Sequence, residues 1–384
     1  MSDIFKAKGV KEFVSRILQA ITKGEKIILF GDADPDGVAS VIILKEALEI
    51  LGNPCFFVYF PNREKEGYGL NKRALSFLKD KAPALLIVLD CGTGNFEEIE
   101  MAERFGFEII IVDHHEILER LPKVKILINP KQKDDKYPFK ELCTAGIVYK
   151  LAKSLLFEAQ KSFEPERFLE LAMIATLSDQ MPLKEDNEKI VKEGILSLRY
   201  TKRPGLNSLM EVSGFKEFSE AEIREKIIPA LAAANSINHK NEAYLLLTET
   251  SLKKAEKIAK TLFKKQKLRR ERIKEIYEEA KGEIDPSLSI IFLGNENWPL
   301  TLTGAVASRI CQKYQKPTFI FKKGKRESQG STRTPKGINS VEMMTACSHF
   351  LKTYGGHPQA SGFRLKNENL EKFKECLIKF LSSQ

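Results

Sequence analysis

This sequence of 384 residues lacks the features that mark several classes of protein. Its six cysteines form no C-x-x-C pair, which argues against a zinc cluster or a disulfide framework and favours reduced thiols. No stretch approaches the roughly 20 apolar residues that a membrane span needs, and the N-terminus lacks the apolar core of a signal peptide. We therefore expect a cytoplasmic protein without a membrane partner.

Charge is abundant, and it is unbalanced. The chain has 62 Lys and Arg against 52 Asp and Glu, a formal net charge of +10, and 42% of its residues are hydrophobic. This composition is typical of a globular protein with two or three domains. A basic balance fits a polyanionic partner such as nucleic acid, although many basic proteins bind none.

Short apolar runs bounded by Gly and Pro predict buried parallel strands in the first third of the chain. The predicted strands lie near residues 27–31, 55–60, 85–90, 108–112 and 125–129. Predicted helices near residues 38–51, 71–80 and 95–106 connect them. The alternation predicts an α/β domain with a parallel sheet.

Acidic side chains and histidines follow three of these strands, and the carboxyl ends of parallel strands form the ligand-binding edge of such a sheet. They are Asp32, Asp34, Asp36, Asp90, Asp113, His114 and His115. So many carboxylates cannot remain ionised together without cations. Carboxylates with imidazoles favour Mn²⁺ or Mg²⁺, and two such ions can promote hydrolysis of a phosphodiester.

The run from Asp32 to Gly37 also matches the beginning of an EF-hand loop. That loop needs a glutamate at its twelfth position, where this chain has Ile43, and it needs a preceding helix rather than a strand. A calcium loop is therefore excluded. Asp179, which follows the apolar segment 171–177, is either a further metal ligand or a helix cap.

The remainder of the chain predicts a helical region, a linker and a second α/β unit. Residues 143–240 are mostly helical, and residues 251–281 form one long helix with 12 Lys and Arg against 5 Glu. Strands near 288–293 and 317–321, with helices near 303–315 and 340–351, follow a boundary at 282–286. The predicted domains are residues 1–245, 246–284 and 285–384.

The ordered set of motifs resembles the DHH–DHHA1 phosphoesterases, and among them the RecJ-like single-strand exonucleases. The four motifs of the first domain correspond to 32–37, Asp90, 113–115 and Asp179. Segments 61–71, 129–130 and 142–146 are similar to further RecJ signatures. In the second α/β unit, the matching segments are 304–309, 330–333 and 355–363. The resemblance covers nearly the whole chain.

The resemblance implies an N-terminal DHH domain with a helical extension, a linking helix and a smaller DHHA1 domain. It implies an exonuclease that degrades single-stranded DNA or RNA from one end with two divalent cations, Mn²⁺ before Mg²⁺. The implied metal ligands are Asp32 (or a support for a ligand), Asp34, Asp36, Asp90, His114 and Asp179. His115 would act on the substrate, and Asp113 would orient its neighbours. The implied substrate-binding residues are Arg63, Tyr68, Arg309, Ser331, Arg333, Gly355, Gly356 and His357.

Some features of the family pattern are missing. The N-A-A-G-R run of RecJ relatives is replaced by residues 232–236, and a Trp-His-x-Gly element survives only as 298–301. From its length we expect the chain to lack the oligonucleotide-binding domain of bacterial RecJ and to be closer to the shorter archaeal members. Polarity, substrate length and the choice between DNA and RNA stay open.

Two other functions compete with the exonuclease. One is a phosphodiesterase for very short substrates, either a nanoRNase or a cyclic-dinucleotide hydrolase. The other is a non-catalytic scaffold in a replication or repair complex, which would have lost its metal ligands. A helicase or a replication factor is the partner that the resemblance implies. Tyr68 is expected either to stack on a base or to be a half-buried core tyrosine.

Overall fold

The structure, a computed structural model, describes residues 3–52, 56–118 and 120–383. The chain divides into two compact units. The first comprises residues 1–114 and 121–266, and the second comprises residues 115–120 and 267–384. The three domains predicted from the sequence stay a prediction.

A five-stranded sheet with the order β2-β1-β3-β4-β5 forms the centre of the first unit, and all its neighbouring strands are parallel. Its strands are β1 Ile27–Gly31, β2 Phe56–Tyr59, β3 Ala84–Leu89, β4 Phe107–Val112 and β5 Ile126–Ile128. The predicted α/β class with a parallel sheet is confirmed. The predicted strand 55–60 starts at a residue outside the described ranges.

Twelve described helices surround this sheet, and several begin where a side chain accepts a hydrogen bond from a backbone N–H of the first turn. They are α1 Val10–Thr22, α2 Pro35–Ile50, α3 Arg63–Glu66, α4 Lys72–Leu78, α5 Phe96–Arg104, α6 Thr144–Glu158, α7 Glu166–Ser178, α8 Glu185–Arg199, α9 Pro204–Ser213, α10 Glu220–Glu222, α11 Ile228–Leu231 and α12 Glu242–Thr248. Short 3-10 turns at Ile4–Lys6 and Lys79–Lys81 and a π turn at Ile223–Ile227 complete the set. The sequence predicted α2, α4 and α5 and a mostly helical region that contains α6 to α11, but it did not predict α1, α3 or α12.

Alternate residues of each strand face opposite sides of the sheet, and both sides are apolar. Ile27 and Leu29 pack with α1, α2 and α6 on one side, and Ile28 and Phe30 pack with α4 and α5 on the other. Burial of both faces explains why these strands are continuous apolar runs in the sequence. A hairpin of β6 Ser236–Ile237 and β7 Lys240–Asn241 completes the first unit.

The long helix α13, Leu252–Lys281, starts in the first unit and ends in the second, as predicted for residues 251–281. The second unit has a five-stranded sheet with the order β11-β12-β10-β9-β8, in which only the β8–β9 pair is parallel. Its strands are β8 Ile291–Asn295, β9 Thr318–Lys323, β10 Glu327–Arg333, β11 Leu351–His357 and β12 Ala360–Lys366. Its helices are α14 Leu300–Tyr314, α15 Ser340–Ala346 and α16 Leu370–Ser382, with 3-10 turns at Ser348–Phe350 and Asn367–Asn369.

Two predictions for the second unit are wrong. The predicted helix 340–351 ends at Ala346, and residue 351 already begins β11. Cys347 and Cys376 form a disulfide, whereas the sequence predicted only reduced thiols. The half-cystines are 29 residues apart, so their pairing depends on the packing of α15 against α16 and leaves no local pattern in the sequence.

The other cysteines of the described ranges, Cys91, Cys143 and Cys311, are buried free thiols, and Cys55 lies outside those ranges. Among the described residues, the structure contains no helix that is both long and apolar enough to cross a membrane.

Candidate metal centre

The predicted acidic residues converge because β1, β3 and β4 are adjacent parallel strands. Their carboxyl ends lead into the segment 32–36, Asp90 and the segment 113–114. Asp36 and His114 have no exposed surface, and Asp90 is 2% exposed. Buried charges of this kind require a neutralising partner.

Four of the predicted ligands form one group: Asp36, Asp90, His114 and Asp179. From His114 Nε2, the nearest carboxylate oxygens are 3.6 Å away on Asp36, 3.5 Å away on Asp90 and 3.3 Å away on Asp179. Asp179 is also the C-cap residue of α7, so both sequence interpretations describe its position. Three carboxylates around one imidazole form a donor set that suits Mn²⁺ or Mg²⁺.

The N-terminus of α6 holds two of these carboxylates. Asp36 accepts hydrogen bonds from the backbone N–H groups of Thr144 (2.8 Å) and Ala145 (2.7 Å). The Thr144 hydroxyl lies 3.0 Å from Asp90 Oδ1 and donates a hydrogen bond to it. Sequence reasoning missed Thr144 and Ala145 as part of the centre, although the segment 142–146 had been noted as a signature.

Electrostatics explain why this group is suited to a cation. Burial, and then the neighbouring Asp179 carboxylate, raise the pKa of Asp36 to about 7. Burial, and then the Asp36 and Asp34 carboxylates, raise the pKa of Asp90 well above its usual range. A divalent cation would remove both penalties, since it supplies positive charge where the carboxylates repel one another.

A second group of carboxylates, Asp32, Asp34 and Asp90, shares Asp90 with the first. In this group an arginine side chain, Arg63, supplies positive charge to the carboxylates. The Arg63 guanidinium donates to Asp32 from Nε (3.1 Å) and Nη2 (2.7 Å), and from Nη2 to Asp34 (2.9 Å). Burial raises the pKa of Asp34, but the charge of Arg63 and the hydrogen bond from the Gly37 N–H lower it to about 2.

Glycine is required at position 37 because the loop folds back on itself. A Cβ atom on Gly37 would lie 2.3 Å from the carbonyl oxygen of Asp32. Asp34 caps α2 by accepting from the Gly37 N–H at 3.0 Å, and Asp36 lies in the first turn of the same helix. The three acids therefore project from one tight loop-to-helix junction.

Asp113 and His115 are placed differently from the four-residue group. The Asp113 carboxylate accepts hydrogen bonds from the backbone N–H groups of Thr93 (3.0 Å) and His114 (2.8 Å), which fits the predicted orienting role. His115 belongs to the second unit, where its ring stacks on that of His357 with a centroid distance of 4.8 Å. The Glu116 N–H donates to the Gly356 carbonyl in the same unit.

The other predicted substrate-binding residues of the second unit lie on α14, β10 and β11. Arg333 Nε donates to the Ser308 hydroxyl at 3.1 Å, and the Ser331 and Thr303 hydroxyls are 3.0 Å apart. Arg309 lies over the ring of Tyr277, 4.9 Å from its centroid. Gly355 and Gly356 have φ angles of 156° and 136°, and a Cβ atom on Gly356 would lie 2.5 Å from the Ala360 carbonyl oxygen.

Tyr68 lies on the surface of the first unit. Its side chain is 38% exposed, and the Arg63 guanidinium lies 4.8 Å from its ring centroid. The ring is therefore partly accessible, and its role in base stacking stays a prediction.

Comparison with known proteins agrees with this geometry. Residues 26–176 match the model of the DHH family N-terminal domain, and residues 286–383 match the DHHA1 domain. The single-stranded-DNA-specific exonuclease RecJ of Bacillus subtilis is 34% identical over 98% of this chain and 48% of its own length. The Thermus thermophilus RecJ is 29% identical over 96% of this chain and 54% of its own length. This chain thus spans about half of the length of these two relatives.

A crystal structure of exonuclease RecJ bound to manganese superimposes with a TM-score of 0.79, at 26% identity, and covers 98% of this chain and 95% of that chain. The first unit supplies the metal-ligand groups that follow β1, β3 and β4, and the second supplies the arginine and glycine motifs. With both family models matched in the expected order, the chain belongs to the DHH–DHHA1 family and is RecJ-like within it.

Proposed function

We propose that this protein is a metal-dependent exonuclease that hydrolyses single-stranded DNA or RNA from an end. The observation that carries the proposal is the group of Asp36, Asp90, His114 and Asp179, three of them buried, which shares Asp90 with the group of Asp32 and Asp34. The RecJ relatives, named as single-stranded-DNA-specific exonucleases, support the substrate class. The manganese-bound RecJ structure supports the choice of Mn²⁺, with Mg²⁺ as a second possibility.

We assign the four-residue group to one divalent cation and the Asp32–Asp34–Asp90 group to another. Two such cations activate water and neutralise the charge that develops on a phosphodiester during hydrolysis. Asp90 belongs to both groups, so it would help to hold both cations. Asp32 already binds Arg63 through two hydrogen bonds, which favours its supporting role over direct ligation.

The remaining residues bind and orient the substrate in this proposal. Asp113 fixes the backbone at Thr93 and His114, and His115 stabilises the charge that develops on the phosphate. Arg63, with Tyr68 against it, can exchange a carboxylate for a substrate phosphate. Arg309, Ser331 and Arg333 bind further phosphates, and the backbone at Gly355–His357 lets a nucleotide approach closely.

We assign a separate role to each of the three predicted domains. Residues 1–245 would carry catalysis, 246–284 the link, and 285–384 substrate binding. We further propose a cytoplasmic location and leave a helicase or replication factor as the expected partner.

The test is hydrolysis of oligonucleotides labelled at the 5′ or the 3′ end, in DNA and RNA of two to about 20 nucleotides, with Mn²⁺, Mg²⁺ or a chelator. We expect stepwise shortening from one end that depends on the metal. Cleavage that continues in chelator would refute the mechanism.

The same experiment separates the two competing functions. Activity on dinucleotides alone would favour the short-substrate phosphodiesterase. A complete lack of hydrolysis with bound Mn²⁺ would favour the scaffold, although the described residues retain all six predicted ligand side chains.

A further inference from the structure

An aromatic cluster lies at the outer edge of the first unit's sheet, on β2 and the elements that pack against it. We name it the edge cluster, and it consists of Phe57, Tyr59, Phe77 and His239. The His239 ring contacts Tyr59 with a centroid distance of 4.4 Å and Phe77 with one of 4.0 Å. Phe77 lies 6.1 Å from Phe57 and 5.7 Å from Tyr59. The rings therefore form one continuous surface that reaches solvent at Phe77, which is 44% exposed.

The turn that presents His239 is strained. Asn238 and His239 connect β6 to β7 with φ angles of 49° and 63°, so the turn has positive φ at both central residues. Such two-residue turns favour glycine at the second position, because a side chain there costs of the order of 1 kcal/mol. Here an imidazole occupies that position and is directed onto the rings of the edge cluster. Closing the hairpin alone does not require a side chain at this position.

The same hairpin is tied to the metal centre. The Asn241 side-chain amide donates to the Ala33 carbonyl at 3.2 Å, within the loop that carries Asp32 and Asp34. The Asn62 side-chain amide, next to Arg63, donates to the Ser236 carbonyl at 3.0 Å. The Phe60 N–H donates to the His239 carbonyl at 3.0 Å. The edge cluster is thus connected through the hairpin to the loop that carries Asp32 and Asp34 and to the segment that carries Arg63.

Positive charge borders the rings. The Lys81 ammonium lies 4.2 Å from the Phe57 ring centroid and 5.7 Å from that of Phe77. The helical segment 72–81 that carries Phe77 has four cations, at positions 72, 73, 79 and 81, and one acid, Asp80. Exposed aromatic rings beside lysines are the arrangement that binds single-stranded nucleic acid through base stacking and phosphate contacts.

We propose that Phe77 and His239 form a base-stacking platform for single-stranded nucleic acid at the β2 edge of the first unit's sheet. The platform rests on the proposed function for its substrate class. It adds a contact outside the motifs of the family, on an edge strand rather than at the strand ends. A role limited to covering the edge of β2 would need neither the 44% exposure of Phe77 nor a side chain at the strained position 239.

The first test compares two exposed phenylalanines. Phe77→Ser is expected to weaken binding of a fluorescently labelled oligonucleotide of about 20 thymidines by about tenfold, measured by anisotropy in chelator so that no cleavage occurs. Phe157→Ser is the matched control, because Phe157 is 78% exposed at the end of α6. The proposal is overturned if the two variants bind equally well, or if the unsubstituted protein does not bind the oligonucleotide.

The second test separates binding from folding. His239→Gly relieves the strained turn while it removes the ring, so we expect a melting temperature close to that of the unsubstituted protein and an affinity loss similar to that of Phe77→Ser. A lower melting temperature with unchanged affinity would assign the ring to edge covering alone and overturn the platform.

The outcomes also distinguish this inference from the proposed function. A protein that binds the oligonucleotide through Phe77 but never hydrolyses it would refute the exonuclease and leave the platform standing. An active exonuclease whose Phe77→Ser variant binds normally would refute the platform alone.

Discussion

The metal centre contains two groups of acids, and the groups differ in what neutralises their charge. We call them the Asp36 side (Asp36, Asp90, His114 and Asp179) and the Asp34 side (Asp32, Asp34 and Asp90). On the Asp36 side, carboxylates surround His114, and the pKa values of Asp36 and Asp90 are raised by burial and mutual repulsion. On the Asp34 side, Arg63 binds Asp32 and Asp34, and the pKa of Asp34 falls to about 2. The Asp36 side therefore depends on an external cation, whereas the Asp34 side has a protein cation with which a metal must compete.

The largest effect on hydrolysis is expected from a substitution of Asp90, which belongs to both sides. Asp90→Asn preserves the shape of the side chain but removes its charge from both sides, so we expect loss of Mn²⁺ binding and a fall in hydrolysis rate of about a thousandfold or more. The hydrolysis rate is measured as the initial rate on an end-labelled oligonucleotide, and Mn²⁺ binding is measured by titration calorimetry.

Asp186→Asn is the control for Asp90→Asn. Asp186 is as buried as Asp90, but it pairs with Lys150 at 3.1 Å and belongs to none of the metal-ligand groups. This variant should melt at a lower temperature and keep the rate per folded molecule. Equal rates in the two variants would contradict a role for Asp90 in holding the cations.

Arg63→Met tests the Asp34 side alone. Removal of the guanidinium leaves Asp32 and Asp34 uncompensated, so the pKa of Asp34 should rise and the second Mn²⁺ should bind more tightly. We nevertheless expect hydrolysis to fall by about a hundredfold, because a charged group that binds the phosphate is lost. Mn²⁺ titration and steady-state kinetics measure both effects, with Arg104→Met on α5 as the control. Unchanged metal affinity would show that Arg63 does not compete with the cation.

Thr144→Val tests whether the Thr144 hydroxyl orients a metal ligand on the Asp36 side. It removes the hydroxyl that donates to Asp90 but retains the backbone N–H that donates to Asp36. We expect Mn²⁺ affinity to fall by about tenfold to a hundredfold, as for other groups that orient metal ligands. Thr318→Val, at a fully buried threonine of the second unit, should leave the affinity unchanged. Equal affinities in the two variants would assign no orienting role to the hydroxyl.

The smallest expected effect is a pH dependence of the metal-free protein. The pKa of Asp36 is about 7 in the folded state and 3.8 ordinarily, so between these values the folded state binds more protons than the unfolded state. Stability should therefore decrease as pH rises from about 4 to about 7. On the Asp34 side the sign is opposite, since its lowered pKa stabilises the fold above about pH 4 and this is lost towards pH 2.

Thermal melts in chelator at pH 5 and pH 8 measure the combined contribution of Asp36 and Asp90, whose pKa values are both raised, and we expect the lower melting temperature at pH 8. Saturating Mn²⁺ should remove this difference, because the cation neutralises the carboxylates. A metal-free protein that is equally stable at both pH values would contradict the electrostatic description of the Asp36 side.

The sequence predicted the features that follow directly from strand patterns. Continuous apolar runs predicted the parallel sheet, and the acids at their ends predicted which side chains would converge. It could not predict that α6 donates backbone N–H groups to Asp36, because a backbone donor has no residue signature. The likeness to RecJ signatures indicated the segment, and only the folded chain shows the contact.

The second unit was harder to predict for a different reason. β10, with the sequence Glu-Ser-Gln-Gly-Ser-Thr-Arg, has no apolar alternation because its buried positions are serine, glycine and threonine. β11 follows α15 after a single 3-10 turn, so its first residues were included in a predicted helix. Pairing of Cys347 with Cys376 likewise depends on tertiary contacts that no spacing rule encodes.

The close approach at Gly37 has a consequence for the distance between the two sides. Because the Asp32 carbonyl leaves room for only a hydrogen atom there, the chain is locked where Asp34 ends the loop and Asp36 begins the helix. The Cα positions of Asp34 and Asp36 are therefore fixed by the backbone, and only the side-chain rotamers can change the distance between the two carboxylates. Any larger residue at position 37 would displace both acids at once, and with them the two groups of side chains that would hold the cations.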